Sequence, residues 1–201
     1  MTAIEQTLRD AGMTAIAGVD EAGRGPCAGP LVVVALILKD PFSQALAKVR
    51  DSKELTAKTR ENLYDVILEQ SLAHSIIEIS SEEIDRDGLH QSNLDGFRRA
   101  VSALEITPDY VLTDGYAIEG MSMPTLGIWK GDQVALSISA ASVIAKVYRD
   151  RIMIEMDAKY PGYGFASHKG YSAATHMAAI RELGVTPIHR RSFANIAELL
   201  H

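Results

Sequence analysis

The stretch Ile16-Ala-Gly-Val-Asp-Glu-Ala-Gly-Arg-Gly-Pro-Cys-Ala-Gly-Pro-Leu-Val-Val-Val-Ala-Leu-Ile-Leu38 decides the fold class. Its two ends, Ile16–Val19 and Leu31–Leu38, are apolar, and the glycine-rich segment Gly23–Pro30 lies between them. This pattern reads as two strands joined by a turn. A continuous Val/Ile/Leu run belongs in the middle of a sheet, with both faces covered. Further along, Thr56 is placed to cap a helix that carries Leu63, Val66 and Ile67 at helical spacing to about Leu72. Ser75–Ile79 alternates as a strand, and Ser92–Leu104 reads as a helix with Leu94, Phe97, Val101 and Leu104 on one face. Tyr110–Thr113 is a short strand, and Leu136–Ala158 is a long Ala/Ser-rich helix with its Arg and Lys expected on the outer side. A last helix, Ala173–Leu183, stops at Gly184. Strands and helices alternate, so the class is α/β.

The chain has 201 residues, with no linker-like stretch and no internal repeat, and reads as one domain. Its single cysteine, Cys27, excludes an internal disulfide framework and zinc modules built on several cysteines, which points to an intracellular, cytoplasmic setting. The first ten residues include Glu5, Arg9 and Asp10 and lack the apolar core of a signal peptide. The longest uncharged apolar run, Pro26–Leu38, is interrupted by Gly29 and Pro30 and is short for a membrane span. A formal net charge of −6 argues against a partner held by bulk positive charge, such as nucleic acid. The charge is unevenly spread, however. Residues 142–191 hold eight Lys/Arg against four Asp/Glu, whereas residues 1–141 hold twelve against twenty-one. Tyr160, Tyr163, Phe165 and Tyr171 interleave with the basic stretch, as in a surface that stacks bases and neutralises phosphates. The same residues also suit a solvated helix face and ordinary packing.

Four acids stand where strands or turns end. Asp20 and Glu21 follow Ile16–Val19, Asp114 follows Tyr110–Thr113, and Asp132 sits in Lys130-Gly-Asp132 before the long helix. Carboxylates at strand ends converge on one rim of an α/β sheet, where ligands bind. Their mutual repulsion calls for a cation, and an oxygen-only donor set suits Mg²⁺ or Mn²⁺. Any one of them could instead be a turn former or helix cap. The glycines of Gly23-Arg-Gly25 could merely reverse the chain, or they could let bare backbone approach a sugar–phosphate. No Walker loop, Gly-x-Gly-x-x-Gly or Gly-x-Ser-x-Gly motif is present, and Asp85-Arg-Asp-Gly88 lacks the later ligands of a calcium loop.

Taken together, the residues resemble the ribonuclease HII family. The resemblance is carried by Gly18–Pro26, Asp51-Ser-Lys-Glu-Leu55, Asp114-Gly115, Lys130-Gly-Asp132, Ser137–Asp150, Tyr163-Gly-Phe165, His168-Lys-Gly-Tyr171 and His189-Arg-Arg-Ser-Phe193. It implies a ribonuclease H-like fold: a mixed central sheet flanked by helices, with extra C-terminal helices that complete the substrate groove from about residue 142. It also implies an endonuclease that cuts the RNA strand of RNA/DNA hybrids and nicks duplex DNA on the 5′ side of embedded ribonucleotides. Two divalent ions would be held by Asp20, Glu21, Asp114 and Asp132. By the same resemblance Gly23, Arg24 and Gly25 sense the ribose 2′-hydroxyl, and Tyr171 stacks on the next sugar. Lys53 and Lys146 are candidate phosphate contacts.

Two other function classes fit parts of the pattern: a non-catalytic nucleic-acid-binding module that uses the basic segment, and a small-molecule phosphohydrolase that uses the acids. A monomer is expected, and no residue pattern marks a contact with a replication clamp.

Overall fold

The computed structural model describes residues 3–200. Five strands, β1 (Ile16–Ala22), β2 (Leu31–Leu38), β3 (Ser71–Ile79), β4 (Tyr110–Asp114) and β5 (Thr125–Ile128), form one mixed sheet in the order β3-β2-β1-β4-β5. β2 runs antiparallel to both β1 and β3, whereas β4 runs parallel to both β1 and β5. Around them lie α1 (Ala3–Asp10), α2 (Ala57–Gln70), α3 (Ser81–Asp87), α4 (Leu89–Ser102), α5 (Leu136–Lys159), α6 (Phe165–His168), α7 (Ala174–Leu183) and α8 (Ala194–Ala197).

Every residue of β2 is buried, as its unbroken apolar run requires. Val32, Val34, Leu36 and Leu38 pack on one face with Leu63 and Ile67 of α2 and Val143 and Ile144 of α5. Leu31, Val33, Ala35 and Ile37 pack on the other face with Phe97, Ala100 and Val101 of α4. Each such side chain contributes about 1.5–3 kcal/mol of burial, so β2 is the anchor of the sheet.

The helix starts follow local chemistry. Thr56 Oγ1 accepts from the Thr59 N–H at 3.2 Å, the expected cap of α2. The residue preceding α5, Ala135, has no capping side chain. There Glu5 of α1 substitutes: it is 1% exposed, and its Oε1 accepts from the Ser137 N–H at 3.0 Å. Gly18 lets this end of α5 press on β1, because a Cβ there would lie 2.2 Å from the Ser137 carbonyl carbon. That approach brings the start of α5, and the turn before it, against the strand that carries Asp20.

Five elements escaped the sequence pattern: α1, α3, the four-residue helices α6 and α8, and the four-residue edge strand β5. The α3 signal was Ser80-x-x-Glu83, a reciprocal capping box formed in full. Asp85 and Asp87, set aside as an incomplete calcium loop, lie in that helix, and Asp85 accepts from the N–H groups of Arg191 and Ser192. The basic residues of α5 do not all lie on its outer side: Arg149 is 1% exposed. Tyr163 and Phe165 are also buried, stacked on each other at 5.3 Å in a small C-terminal core with Cys27 and Met153. They fill space rather than present a stacking surface.

Candidate active site

Parallel pairing of β1 with β4 sets the ends of two neighbouring strands side by side. Asp20 lies one residue beyond Val19, whose register partner Thr113 immediately precedes Asp114. Asp132 enters from the single turn Gly131–Gln133 that leads into α5. The Gly131 N–H donates to Asp114 Oδ1 at 2.7 Å and ties that turn to the end of β4. As a result Asp20, Asp114 and Asp132 each present a carboxylate oxygen, all within 4.8 Å of one another. Glu21 stands beside this trio rather than within it. One of its oxygens lies 3.7 Å from Arg24 Nη1, and the other is buried near the Asn93 amide without a well-formed hydrogen bond.

Burial, reinforced by the charges of Glu21, Asp114 and Asp132, pushes the Asp20 carboxyl well above its ordinary range. Burial also raises Glu21 to about 7, against the opposing pull of Arg24 and with Asp114 adding to the rise. Asp132 rises to about 6 through burial and the charges of Asp51 and Asp114, partly offset by Lys53 at 3.7 Å. Carboxylates raised in this way favour a counter-charge, and three converging oxygens together with a buried one that lacks a well-formed hydrogen bond fit a hard divalent cation.

Asp20, Glu21 and Asp114 line a cleft of about 230 Å³ together with Gly23, Arg24, Gly25, Tyr171, Lys53 and Lys146. Tyr171 is 52% exposed, and its ring edge lies 3.3 Å from where a Cβ on Gly25 would sit. Among the described residues, neither the N–H nor the C=O of Gly25 hydrogen-bonds within the chain. Lys146 Nζ pairs with Asp150 at 2.6 Å. Nine of the ten candidate residues therefore line this cleft; the tenth, Asp132, reaches it only through its carboxylate oxygen near those of Asp20 and Asp114.

The sequence reading missed what holds the glycine turn. Arg190, fully buried, donates Nη2 to the carbonyls of Gly23 (2.6 Å) and Gly29 (2.9 Å) and Nη1 to that of Arg24 (3.1 Å). Arg149 donates to the carbonyls of Ala28, Pro30 and Lys169. Two of the eight basic residues assigned to a nucleic-acid surface are thus spent on main-chain oxygens, because the turn has no strand partner for those carbonyls. Gly23, at φ +100°, is needed for this arrangement, since a Cβ there would lie 2.1 Å from Arg149 Nε. Asp51 was also missed. It is buried and accepts from the Lys53 N–H at 2.9 Å, and these hydrogen bonds hold it below the ordinary carboxylate range despite burial.

Residues 17–196 match the family described as Ribonuclease HII. The chain belongs to the ribonuclease HII family. Ribonuclease HII of Corynebacterium jeikeium is 52% identical over 195 residues, which cover 96% of this chain and 94% of that protein. The solved structure of ribonuclease H2 from Pyrococcus horikoshii is 28% identical, covers 92% of this chain and 96% of its own, and has a TM-score of 0.80. At 20% identity, Bst-RNase HIII in complex with Mn²⁺ shares the fold (TM-score 0.68), covering 94% of this chain and 70% of its own. The mixed sheet with flanking helices is therefore of the ribonuclease H type, and membership makes this chain a metal-dependent endoribonuclease. Among the described residues, no helix is long and apolar enough to cross a membrane.

Proposed function

We propose that this protein cuts the RNA strand of RNA/DNA hybrids and nicks duplex DNA on the 5′ side of an embedded ribonucleotide, leaving 5′-phosphate and 3′-hydroxyl ends. The observation that carries this reading is the cleft itself. Two acids of a three-carboxylate cluster, Asp20 and Asp114, share one cleft with Gly25, whose backbone groups are uncommitted and which lies against an exposed tyrosine ring.

Asp20, Glu21, Asp114 and Asp132 would hold two divalent ions, Mg²⁺ or Mn²⁺. Bound there, such ions lower the pKa of water and neutralise charge on the phosphate and the leaving 3′-oxygen. The remaining work falls to the chain. The Gly25 backbone can hydrogen-bond a 2′-hydroxyl, which is what separates RNA from DNA at a given position. Arg190 and Arg149 prevent that turn from relaxing, and Arg24, Lys53 and Lys146 offer positive charge to phosphates. The exposed ring of Tyr171, packed against Gly25, offers a flat face on which a sugar can stack, which selects for a deoxyribose following the ribonucleotide. Residues 142–200 supply Lys146, Arg149 and Tyr171 to this groove and Arg190 to the carbonyls of its glycine turn, and the whole chain works as one monomeric domain.

The test is incision of duplex DNA that contains one ribonucleotide, with and without Mg²⁺, followed by analysis of the product ends. Cutting at the 5′ side of the ribonucleotide, abolished by chelation, is the expected result. Binding without incision at any metal concentration overturns the reading in favour of a binding module. Hydrolysis confined to small phosphate esters overturns it in favour of a phosphohydrolase.

A further inference from the structure

A second cleft, of about 500 Å³, adjoins the first on the far side of the acids and shares Glu21, Arg24, Lys53 and Asp114 with it. Its outer wall is Tyr116, Trp129 and Lys130. The sheet places them there. Asp114 pairs in register with Ile128, and the Gly115 N–H donates to the Ile128 carbonyl at 2.8 Å, so the chain leaves β4 and β5 side by side. Tyr116 follows one strand end and Trp129 the other. Lys130 adopts φ +55°, an unfavourable backbone for a non-glycine residue, and the next N–H is the one bonded to Asp114. This fixes Trp129 close to the acids.

Tyr116 is already supported, with Arg24 over its ring at 5.2 Å and His90 against its edge at 5.2 Å. Trp129 is not. It is 81% exposed, more than any other large hydrophobic residue described, and no ring contact involves it among the described residues. Packing within the fold gives no reason for a solvent-facing indole beside an acidic cluster. The two clefts share Glu21 and Asp114, however, so a strand that lies along Gly25 and Tyr171 in the first can continue past the acids into the second.

Resting on the nuclease reading above, we propose that Trp129 is a substrate-binding residue. It stacks on a nucleotide of the 5′ flank, on the opposite side of the cut from Tyr171, and Lys130 neutralises a phosphate of that flank. Aromatic stacking of this kind tolerates any base, so it adds affinity without sequence preference.

Trp129 is the sole tryptophan of the chain, so its fluorescence reports this contact directly. The full-length protein in EDTA is titrated with duplex DNA containing one ribonucleotide, and binding is followed independently by anisotropy of a label on the duplex. At saturation, a duplex with both flanks quenches the indole, one shortened on the 3′ side still does, and one whose 5′ flank is cut back to the single deoxynucleotide that carries the scissile bond does not. In steady-state incision, Trp129→Ala raises KM for the long-flank substrate by roughly 5- to 150-fold, the range expected for one stacked base, and erases its advantage over the 5′-shortened substrate. Trp129→Phe restores most of that advantage. Saturated binding without quenching, quenching that depends on the 3′ flank, or an unchanged KM in Trp129→Ala each overturns the proposal. Absence of incision by the wild-type protein overturns the nuclease reading instead, and is recognisable as such.

Discussion

Replacing Asp20 by asparagine should stabilise the metal-free protein while abolishing incision. Asp20 is 4% exposed and presents its carboxylate within 4.8 Å of two others. At an effective dielectric constant of about 20, each ionised neighbour at that distance repels an ionised Asp20 by about 3.5 kcal/mol. The side chain can escape only by protonating, and from an unfolded pKa of about 3.9 that costs at most about 4 kcal/mol at pH 7. The strain in the native state therefore amounts to about 2–4 kcal/mol. Asparagine is isosteric, and its oxygen can keep the hydrogen bond that Asp20 Oδ1 accepts from the Glu21 N–H at 2.7 Å. At about 2–4 °C per kcal/mol for a chain of this size, the variant should melt about 4–16 °C higher in EDTA.

The sign can be checked against pH. A raised folded pKa means that the native state binds a proton the unfolded state has released, so wild-type stability falls as pH rises above about 4. The advantage of Asp20→Asn should accordingly grow from about pH 4 towards neutrality. Saturating Mg²⁺ or Mn²⁺ stabilises the wild type by about 2.7 kcal/mol at a hundred times Kd, and should do little for the variant, which narrows the gap. Thermal melts in EDTA and in metal, from pH 4 to 7.5, read both effects. A variant no more stable than wild type in EDTA refutes the argument that repulsion in this cluster is stored for the cation.

Arg190→Lys should lose about 2–4 kcal/mol in urea denaturation, because one ammonium cannot serve the Gly23, Arg24 and Gly29 carbonyls that the guanidinium fork serves at once. An unchanged urea midpoint with wild-type incision sinks that role. Gly18→Ala should destabilise by more than 2 kcal/mol, since its Cβ meets the backbone of α5 rather than a movable side chain; a soluble variant with an unaltered melting temperature contradicts the packing. Burial, with His176 alongside, depresses His189 to about 4. The unfolded chain then binds the proton first, and this residue costs stability as pH falls from about 6.5 to 4; the wild-type pH slope minus that of His189→Gln measures the loss, and identical slopes refute it. Tyr171→Ala should lose more incision at a single embedded ribonucleotide than affinity for plain duplex, whereas equal losses would show that the ring merely packs.

The elements legible in the sequence were those with a long period or a strong cap. The run at Leu31–Leu38, the Thr56 cap and the twenty-four residues of α5 needed no partner to be recognised. The edge strand β5 was not visible, because four residues that include Gly127 have no pattern apart from their pairing with β4. The acids stood out because each ends an apolar strand or precedes a helix, although only register could show that Asp20, Asp114 and Asp132 meet while Glu21 turns to Arg24. Net charge was the weakest guide. A guanidinium that serves main-chain carbonyls looks in sequence like one that faces a phosphate, and only its burial distinguishes them.

The glycine turn also has a consequence for the order in which the protein becomes competent during synthesis. Every carboxylate of the cluster has been synthesised once Asp132 has been added, yet the turn between β1 and β2 is fastened by Arg149 and Arg190, and the latter comes fifty-eight residues after Asp132. His189 bridges to Ala28, and the Arg190 N–H reaches the Cys27 carbonyl, in the same late segment. The part that would bind metal is thus complete well before the part that would tell RNA from DNA is rigid. A nascent chain that stops before Arg190 would carry the acids without the means to choose a substrate, so the nuclease site is armed only after that later segment has been made.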